Sequence, residues 1–286
     1  QSLFSPRLRY TNKKGYRRWL VNLTSTNRPS IGGQIFLDRT PEENAFVPVT
    51  TQAEISYETR LGGISLKGTV FYQNTEDEYA YPDDGFLVSA NNLFELDPRI
   101  IFNTTTDTRR YGVELEAGGG RKTEGWYYRS SLTLLQAQTE QPDGSWAQDR
   151  YAADFITKLT LGREWGGQDK KDRQRTLGLN LALLAHGGER YGDVVAPAED
   201  DIRAYFAAHS LNQGFLNTTG TYFRPDLRLY KTKIRPKTTT TLALDLQNAA
   251  GITNVGNVYY DVFLGQPNER LQLGLIPVLS YRIVWR

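Results

Sequence analysis

Hydrophobic and polar residues alternate with a period of two along much of the chain. Leucine occupies every odd position in 177–183, with small or polar residues between, and 240–247 repeats the pattern. Because successive side chains of a β-strand point to opposite faces, each such segment predicts a strand with one apolar and one polar face. Helical periodicity is almost absent, so the pattern predicts an all-β protein.

About eleven segments of this kind can be placed on the chain, each near the ~10 residues that a tilted strand needs to cross a bilayer. In 177–183 the leucines are expected to contact lipid, whereas Asn180 and Ala182 are expected to face a polar interior. The predicted strands are 3–11, 16–26, 50–60, 64–74, 109–118, 126–139, 153–165, 175–186, 221–232, 238–248 and 271–285.

Short and long connections alternate strictly between these strands. The short ones are 12–15, 61–63, 119–125, 166–174 and 233–237, and the long ones are 27–49, 74–108, 140–152, 187–220 and 249–270. Outer-membrane barrels have short periplasmic turns and long extracellular loops. The sequence therefore predicts an antiparallel transmembrane β-barrel in the bacterial outer membrane, surrounded by outer-membrane lipid.

The strand count predicts that the barrel is incomplete in this chain. Bacterial single-chain barrels close with an even number of strands, whereas about eleven is odd, and the first strand would start on the extracellular side. Residues 1–286 are accordingly expected to be the C-terminal half of a larger barrel. Its plug and N-terminal strands would be absent from this chain, and both free edges would pair with other polypeptide.

Composition narrows the chemistry further. Lys plus Arg number 34 and Asp plus Glu number 32, so no basic surface for nucleic acid is predicted. The chain has no cysteine and only two histidines, which excludes thiol catalysis and Cys-ligated metal sites. Neither catalytic residues, nor a metal site, nor a cofactor is predicted, and the protein is not expected to be an enzyme.

Charged residues on the polar strand faces are expected to pair with one another inside the barrel. The carboxylates are Glu54, Glu58, Glu114 and Glu116, and their cross-strand partners are Lys67, Arg129, Lys158 and Arg228. The acidic run 76–78 with 83–84 could hold Ca²⁺, although a solvated loop is the alternative. Aromatic residues near strand ends, among them Trp126 and Trp165, fit the girdles of a membrane barrel.

The last strand carries a pattern of its own. Leu279, Tyr281, Ile283 and Trp285 share one face and end in an aromatic residue. This resembles the C-terminal signal that the barrel-assembly machinery reads in outer-membrane proteins, with the departure that Arg286 follows the aromatic residue.

Several segments together resemble TonB-dependent receptors of the type with a carboxypeptidase-like regulatory domain upstream. They are 109–116, 222–229, 241–248 followed by Thr253 and Asn254, and 274–285, and the likeness covers most of 50–286. The resemblance implies a twenty-two-stranded barrel with a plug, contact with a TonB-type energising complex through the missing N-terminal part, and import of a bulky solute. Whether that solute is a siderophore, an oligosaccharide or a peptide stays open.

The long loops are rich in aromatic residues, whose rings could stack on such a solute. The alternative is that they pack the loops together. A different function is also open, in which the barrel scaffolds partner proteins, such as a surface lipoprotein or other subunits, without transport. A soluble β-sandwich is the third hypothesis. The candidate ligand-binding residues are Tyr79, Tyr81, Trp146, Tyr191, Tyr205 and Tyr259.

Overall fold

The computed structural model describes residues 5–27, 47–83, 85–93, 102–120, 125–168, 174–196, 209–210 and 214–285. These residues are almost entirely β-strand and loop, with one turn of 3-10 helix at Ala90–Asn92. None of the described helical structure is long or apolar enough to cross a membrane.

The strands are of two kinds, long ones that build the main sheet and short ones within the long connections. The long strands are β1 (Arg7–Lys14), β2 (Arg17–Asn27), β3 (Val49–Leu61), β4 (Ile64–Asp83), β6 (Thr104–Gly120), β7 (Trp126–Glu140), β9 (Phe155–Gln168), β10 (Gln174–His186), β15 (Tyr222–Ile234), β16 (Thr238–Gln247) and β19 (Ile276–Trp285). The short strands are β5 (Phe86–Ser89), β8 (Trp146–Gln148), β11 (Arg190–Tyr191), β12 (Asp193–Val194), β13 (His209–Ser210), β14 (Asn217–Thr218), β17 (Val255–Asp261) and β18 (Gln266–Leu271).

The long strands form one antiparallel sheet in chain order, β1-β2-β3-β4-β6-β7-β9-β10-β15-β16-β19. Each of the eleven predicted strands corresponds to one of them, and the all-β barrel fold class is confirmed. Within the described residues β1 pairs only with β2, and β19 only with β16. The sheet therefore has two free edges.

Four predicted strand boundaries differ from the observed ones by four residues or more. Strand 64–74 continues to Asp83, and strand 109–118 begins at Thr104, because their pairing resumes beyond a bulge between Thr75 and Glu78. The last strand begins at Ile276 rather than at 271, since Leu271 ends β18 in a separate hairpin. The first strand is Arg7–Lys14 rather than 3–11, and residues 1–4 lie outside the described part.

The register separates the sheet into two faces, because residues directly opposite each other in a ladder share a face. One row runs across four strands through Leu279, Leu244, Leu229 and Leu179. Another runs through Leu134, Val113, Val70, Ile55 and Val21. Most of these side chains are exposed, Leu279 by 74% and Val70 by 58%, whereas Leu179 and Val21 are half-buried. A continuous apolar surface of this extent fits contact with lipid.

The opposite face is polar. Asn180 and Ala182 lie on it, opposite Arg228 and Asp226. The predicted orientation of the leucines in 177–183 relative to Asn180 and Ala182 agrees with this register.

We predict that arginine will be tolerated on the polar face and rejected on the apolar one, at the same depth of the same strand. Leu132 faces Leu115 on the apolar side, whereas the adjacent Thr133 faces Glu114 on the polar side. Leu132→Arg should cost about 2–4 kcal/mol when the complete barrel is folded at equilibrium into lipid vesicles, and Thr133→Arg should cost much less. Equal losses for the two variants would show that the faces are assigned wrongly.

Candidate functional site: the polar wall and the loop cap

The polar face of the sheet carries two groups of ion pairs, one across β2 and β3 and one across β4, β6 and β7. Arg18 pairs with Glu58, and Lys67 donates to Glu116 at 3.0 Å. Arg129 reaches the other oxygen of Glu116 at 3.1 Å. The predicted pairing of Glu116 with Lys67 and Arg129 is confirmed, and these charges stay solvated enough that the pairs orient side chains more than they stabilise the sheet.

Elsewhere on the polar face, which forms the wall of the barrel interior, two tyrosine rings lie flat against glycines of a neighbouring strand. Tyr127 lies opposite Gly162 and donates its hydroxyl to Asn180 Oδ1 at 2.5 Å. Tyr230 lies opposite Gly178 and donates to Glu164. A Cβ on either glycine would collide with the facing ring. The two glycines therefore let aromatic rings lie along the wall, and each ring ties three neighbouring strands together.

At the end of the sheet with the long connections, several of these connections fold together into a cap. The cap has a small apolar core. Phe86, Val88 and Phe215 are buried together, and Tyr81 packs against them. The rings of Phe86 and Phe215 meet edge to face, with their centroids 5.8 Å apart. The cap therefore joins the extension of β4 and β5 to the segment before β14.

A glutamine fastens two of these connections. The Gln141 side chain accepts from the Leu87 backbone N–H at 2.9 Å, and its Nε2 donates to the Leu87 carbonyl at 3.2 Å. One side-chain amide thus makes the pair of bonds that a strand neighbour would make to Leu87. Because Gln141 is 9% exposed, these bonds are shielded from water.

A buried polar cluster lies beside this glutamine. Asn92 Nδ2 donates to Asp149 Oδ1 at 3.1 Å and to Ser89 Oγ at 3.0 Å. Thr139 Oγ1 donates to the same oxygen of Asp149 at 2.5 Å, and the Arg150 N–H donates to Asn92 Oδ1 at 2.8 Å. Such a network holds the connections rigidly because any member left unpaired would carry its full desolvation cost.

The structure distributes the predicted aromatic residues over separate parts of the long connections. Tyr79 is 1% exposed and Tyr81 half-buried, its ring 6.1 Å from that of Phe102. Trp146 lies under the Arg109 guanidinium, 3.9 Å from Cζ to the ring centroid. Tyr191 of β11 lies opposite Asn217 of β14, and Tyr259 of β17 lies opposite Asn268 of β18. Tyr205 lies outside the described residues.

Tyr79, Tyr81 and Trp146 pack against other residues of the chain, in line with the alternative that the aromatic residues hold the loops together. A ligand-binding role for the six candidate residues stays a prediction. Sequence reasoning did not single out Gln141, Asn92 or Asp149. Their partners are far along the chain, and no local spacing marks them. In the described part of the chain, no three carboxylate or histidine side chains come together as a metal site.

The C-terminal signal residues lie as the alternation predicts. Leu279, Tyr281, Ile283 and Trp285 share one face of β19, opposite residues of β16. Tyr281 and Trp285 are 65% and 73% exposed on the apolar side. Their recognition by the barrel-assembly machinery stays a prediction.

One apolar and one polar face, short turns at one end and a folded cap at the other are features of outer-membrane β-barrels. The chain is similar in structure to the ferric-catecholate import receptor Fiu from K12 E. coli in its closed form, with a TM-score of 0.57 and 15% sequence identity. The match covers 99% of this chain and 35% of that receptor, so the chain spans about a third of its length. The fold is thus that of a TonB-dependent receptor barrel. No protein-family model and no curated protein matches the sequence.

We predict that Gln141→Ala will loosen the cap without unfolding the sheet. Two bonds to Leu87 at about 1 kcal/mol each would be lost, so amide exchange in 86–89 should quicken by roughly tenfold or more. Hydrogen–deuterium exchange by mass spectrometry measures this. Asp143→Ala in the same hairpin is the control, because the Asp143 carboxylate accepts from Ser145 and is exposed. Unchanged exchange in 86–89 of Gln141→Ala would refute the fastening role.

The cap should also respond to pH through Glu78, which is 7% exposed in the extension of β4. Burial raises the pKa of the Glu78 carboxyl above its usual value, against opposing effects of the Asn91 side chain and Arg110. A raised native pKa gives stability that is present below the unfolded pKa and lost as pH rises through the native one.

Glu78→Gln should therefore stabilise the cap at neutral pH and lose that advantage in acid. The resistance of the cap to limited proteolysis, compared at neutral and at acidic pH, would measure this change in stability. Glu76→Gln, at an exposed position of the same strand, is the control. Destabilisation by Glu78→Gln at neutral pH would contradict the argument.

Proposed function

We propose that this chain is the C-terminal part of a TonB-dependent outer-membrane transporter that imports a bulky, anionic solute. The observation that carries the proposal is the match of 99% of the chain to 35% of a ferric-catecholate import receptor. A chain that contains only part of a barrel would match about this share of a complete receptor. At 15% identity the likeness bears on fold alone, so activity and solute are argued below from this chain's own residues.

The free edges of β1 and β19 support a larger barrel. In hydrocarbon each unpaired backbone group costs several kcal/mol, and a whole unpaired edge cannot persist. Both edges must therefore be covered by other polypeptide. The simplest arrangement supplies it from preceding strands of the same protein, together with a plug and a segment that contacts a TonB-type complex.

The charge of the first two strands supports an anionic solute. Neither β1 nor β2 contains a carboxylate, and β1 places Arg7, Arg9 and Lys13 on the polar face. Arg18 of β2 shares that face and is paired with Glu58. A basic stretch of wall raises the local concentration of anions along it. A tris-catecholate complex of ferric iron carries the complementary charge.

The remaining partners follow from this placement. The apolar face contacts outer-membrane lipid, and β19 supplies the segment for the barrel-assembly machinery. Surface lipoproteins or other subunits are further partners, and in the alternative function the barrel scaffolds such proteins without import.

We predict that the cap faces the outside and the short turns face the periplasm. Since the chain contains no cysteine, single substitutions report cleanly. Asp143→Cys in the long connection should react with a large polyethylene-glycol maleimide on intact cells. Pro236→Cys, in the short turn after β15, should react only after the outer membrane is broken. The reverse pattern would invert the orientation.

Import is tested with the iron-55 complex of a tris-catecholate in cells that express the complete receptor and lack other receptors for it. Uptake should require TonB, and the double variant Arg7→Ser, Arg9→Ser should reduce it by roughly tenfold. Lys14→Ser with Arg17→Ser is the control, because these residues pair on the opposite face. TonB-independent uptake, or none from receptor that reaches the surface, would refute the proposal. Lack of uptake with co-purifying proteins would favour the scaffold.

A further inference from the structure

The hairpin β17–β18, in the last long connection, ends in three consecutive exposed apolar residues. They are Val262, Phe263 and Leu264, and the Phe263 side chain is 94% exposed. Single apolar side chains on a protein surface are ordinary, whereas a run of three at one turn marks a contact site. We call these three residues the apolar tip.

Hydrogen bonds hold the apolar tip in one shape. One oxygen of the Asp261 carboxylate accepts from the N–H of Phe263 at 3.0 Å and from the N–H of Leu264 at 3.1 Å. Its other oxygen accepts from Asn268 at 3.2 Å. Gly265 closes the turn at φ +66° and donates its N–H to the Asp261 carbonyl at 2.8 Å. Because the tip is already ordered, binding it to a partner costs little conformational entropy.

The base of the hairpin is fastened to the main sheet. The Asn254 side chain accepts from the Phe223 backbone N–H at 2.9 Å and donates to the Phe223 carbonyl at 3.0 Å. Gln272, just after β18, donates its N–H to the Asn254 carbonyl at 2.8 Å. Asn254 is buried, so water does not compete for these bonds. The hairpin therefore projects from a fixed base at the start of β15.

The two strands of the hairpin differ in what covers them. β17 is buried or half-buried along its whole length and contacts β12, which belongs to the connection between β10 and β15. β18 is exposed at every residue except Asn268. Among the described strands β18 pairs only with β17. β18 is thus the outermost strand of this layer.

The uncovered side of the hairpin coincides with the free edge of the main sheet. β18 leads through 272–275 into β19, which pairs with β16 and has no described neighbour on its other side. Leu271, Leu273 and Leu275 are exposed along this path. The order β12, β17, β18 therefore runs in the same direction as β15, β16, β19 below it. Polypeptide that covers β19 will lie beside β18 as well.

We propose that the apolar tip and the outer side of β18 bind the extracellular connection of the receptor strand that pairs with β19. The contact fastens the seam where the first and last strands of the barrel meet. Phe263 is its anchor, because aromatic side chains in fixed positions carry much of the energy of a contact. The partner surface is an apolar pocket of the N-terminal part of the same receptor. The inference rests on the proposed function in that preceding strands complete the barrel.

Photo-cross-linking in the complete receptor tests this contact. p-Benzoylphenylalanine replaces Phe263, and the cross-linked peptides are identified by mass spectrometry after irradiation of intact cells. The expected product joins position 263 to the N-terminal part of the same polypeptide. Asp261→Ala should lower its yield, because the tip loses the bonds that hold its shape. Correct folding of each variant is read from the heat-dependent gel shift of the barrel.

The same label at Leu216 is the matched control, because this leucine is exposed in a different long connection. Equal yields of the product from positions 263 and 216 would overturn the inference. So would a product of position 263 with lipid, with a separate protein, with a second copy of the receptor, or with other long connections of this chain.

A third label, at Val278 in β19, separates this inference from the proposed function. Position 278 should also cross-link to the N-terminal part of the receptor, since the strand that completes the barrel lies beside it. A product from position 278 and none from position 263 would refute the hairpin contact and leave the partial barrel standing. No product from either position would refute both.

Discussion

Backbone hydrogen bonding in hydrocarbon is the constraint on which the rest of this structure depends. A strand within the bilayer has no water to satisfy its N–H and C=O groups, so every strand needs a neighbour on both sides. The eleven long strands meet this demand by pairing with their neighbours in chain order. Among the described strands, only β1 and β19 have an outer edge without a neighbour. Those edges make the chain's completion by other polypeptide the central claim about its function.

Pairing in register then determines what each face can do. Because the side chains alternate, one sheet presents leucine and valine to lipid and ion pairs to the interior. In the same register Tyr127 lies over Gly162 and Tyr230 lies over Gly178. The two rings lie along the polar face, and their hydroxyl groups hydrogen-bond to a third strand. Lipid contact and the rigidity of the sheet are thus consequences of a single periodicity.

The sequence predicted the long strands well because their signal is local and repeated. Leucines at alternate positions in 177–183 mark β10 without knowledge of its neighbours. The cap could not be predicted in this way. The bonds from Gln141 to Leu87 and from Asn92 to Asp149 join residues more than fifty positions apart, and neither alternation nor turn chemistry relates them. For the same reason the aromatic loop residues could be nominated individually, while their burial could not be foreseen.

The distance between the two free edges tests the central claim most directly. Spin labels at Thr11→Cys in β1 and Ser280→Cys in β19, both on the polar face, can be placed in the complete receptor in lipid. Their separation is then measured by double electron–electron resonance. In a twenty-two-stranded barrel the edges lie on opposite sides, so the account predicts about 40 Å from the strand spacing and tilt. A separation of about 10 Å, as for neighbouring strands, would mean that β1 and β19 close a small barrel on their own and would contradict the account.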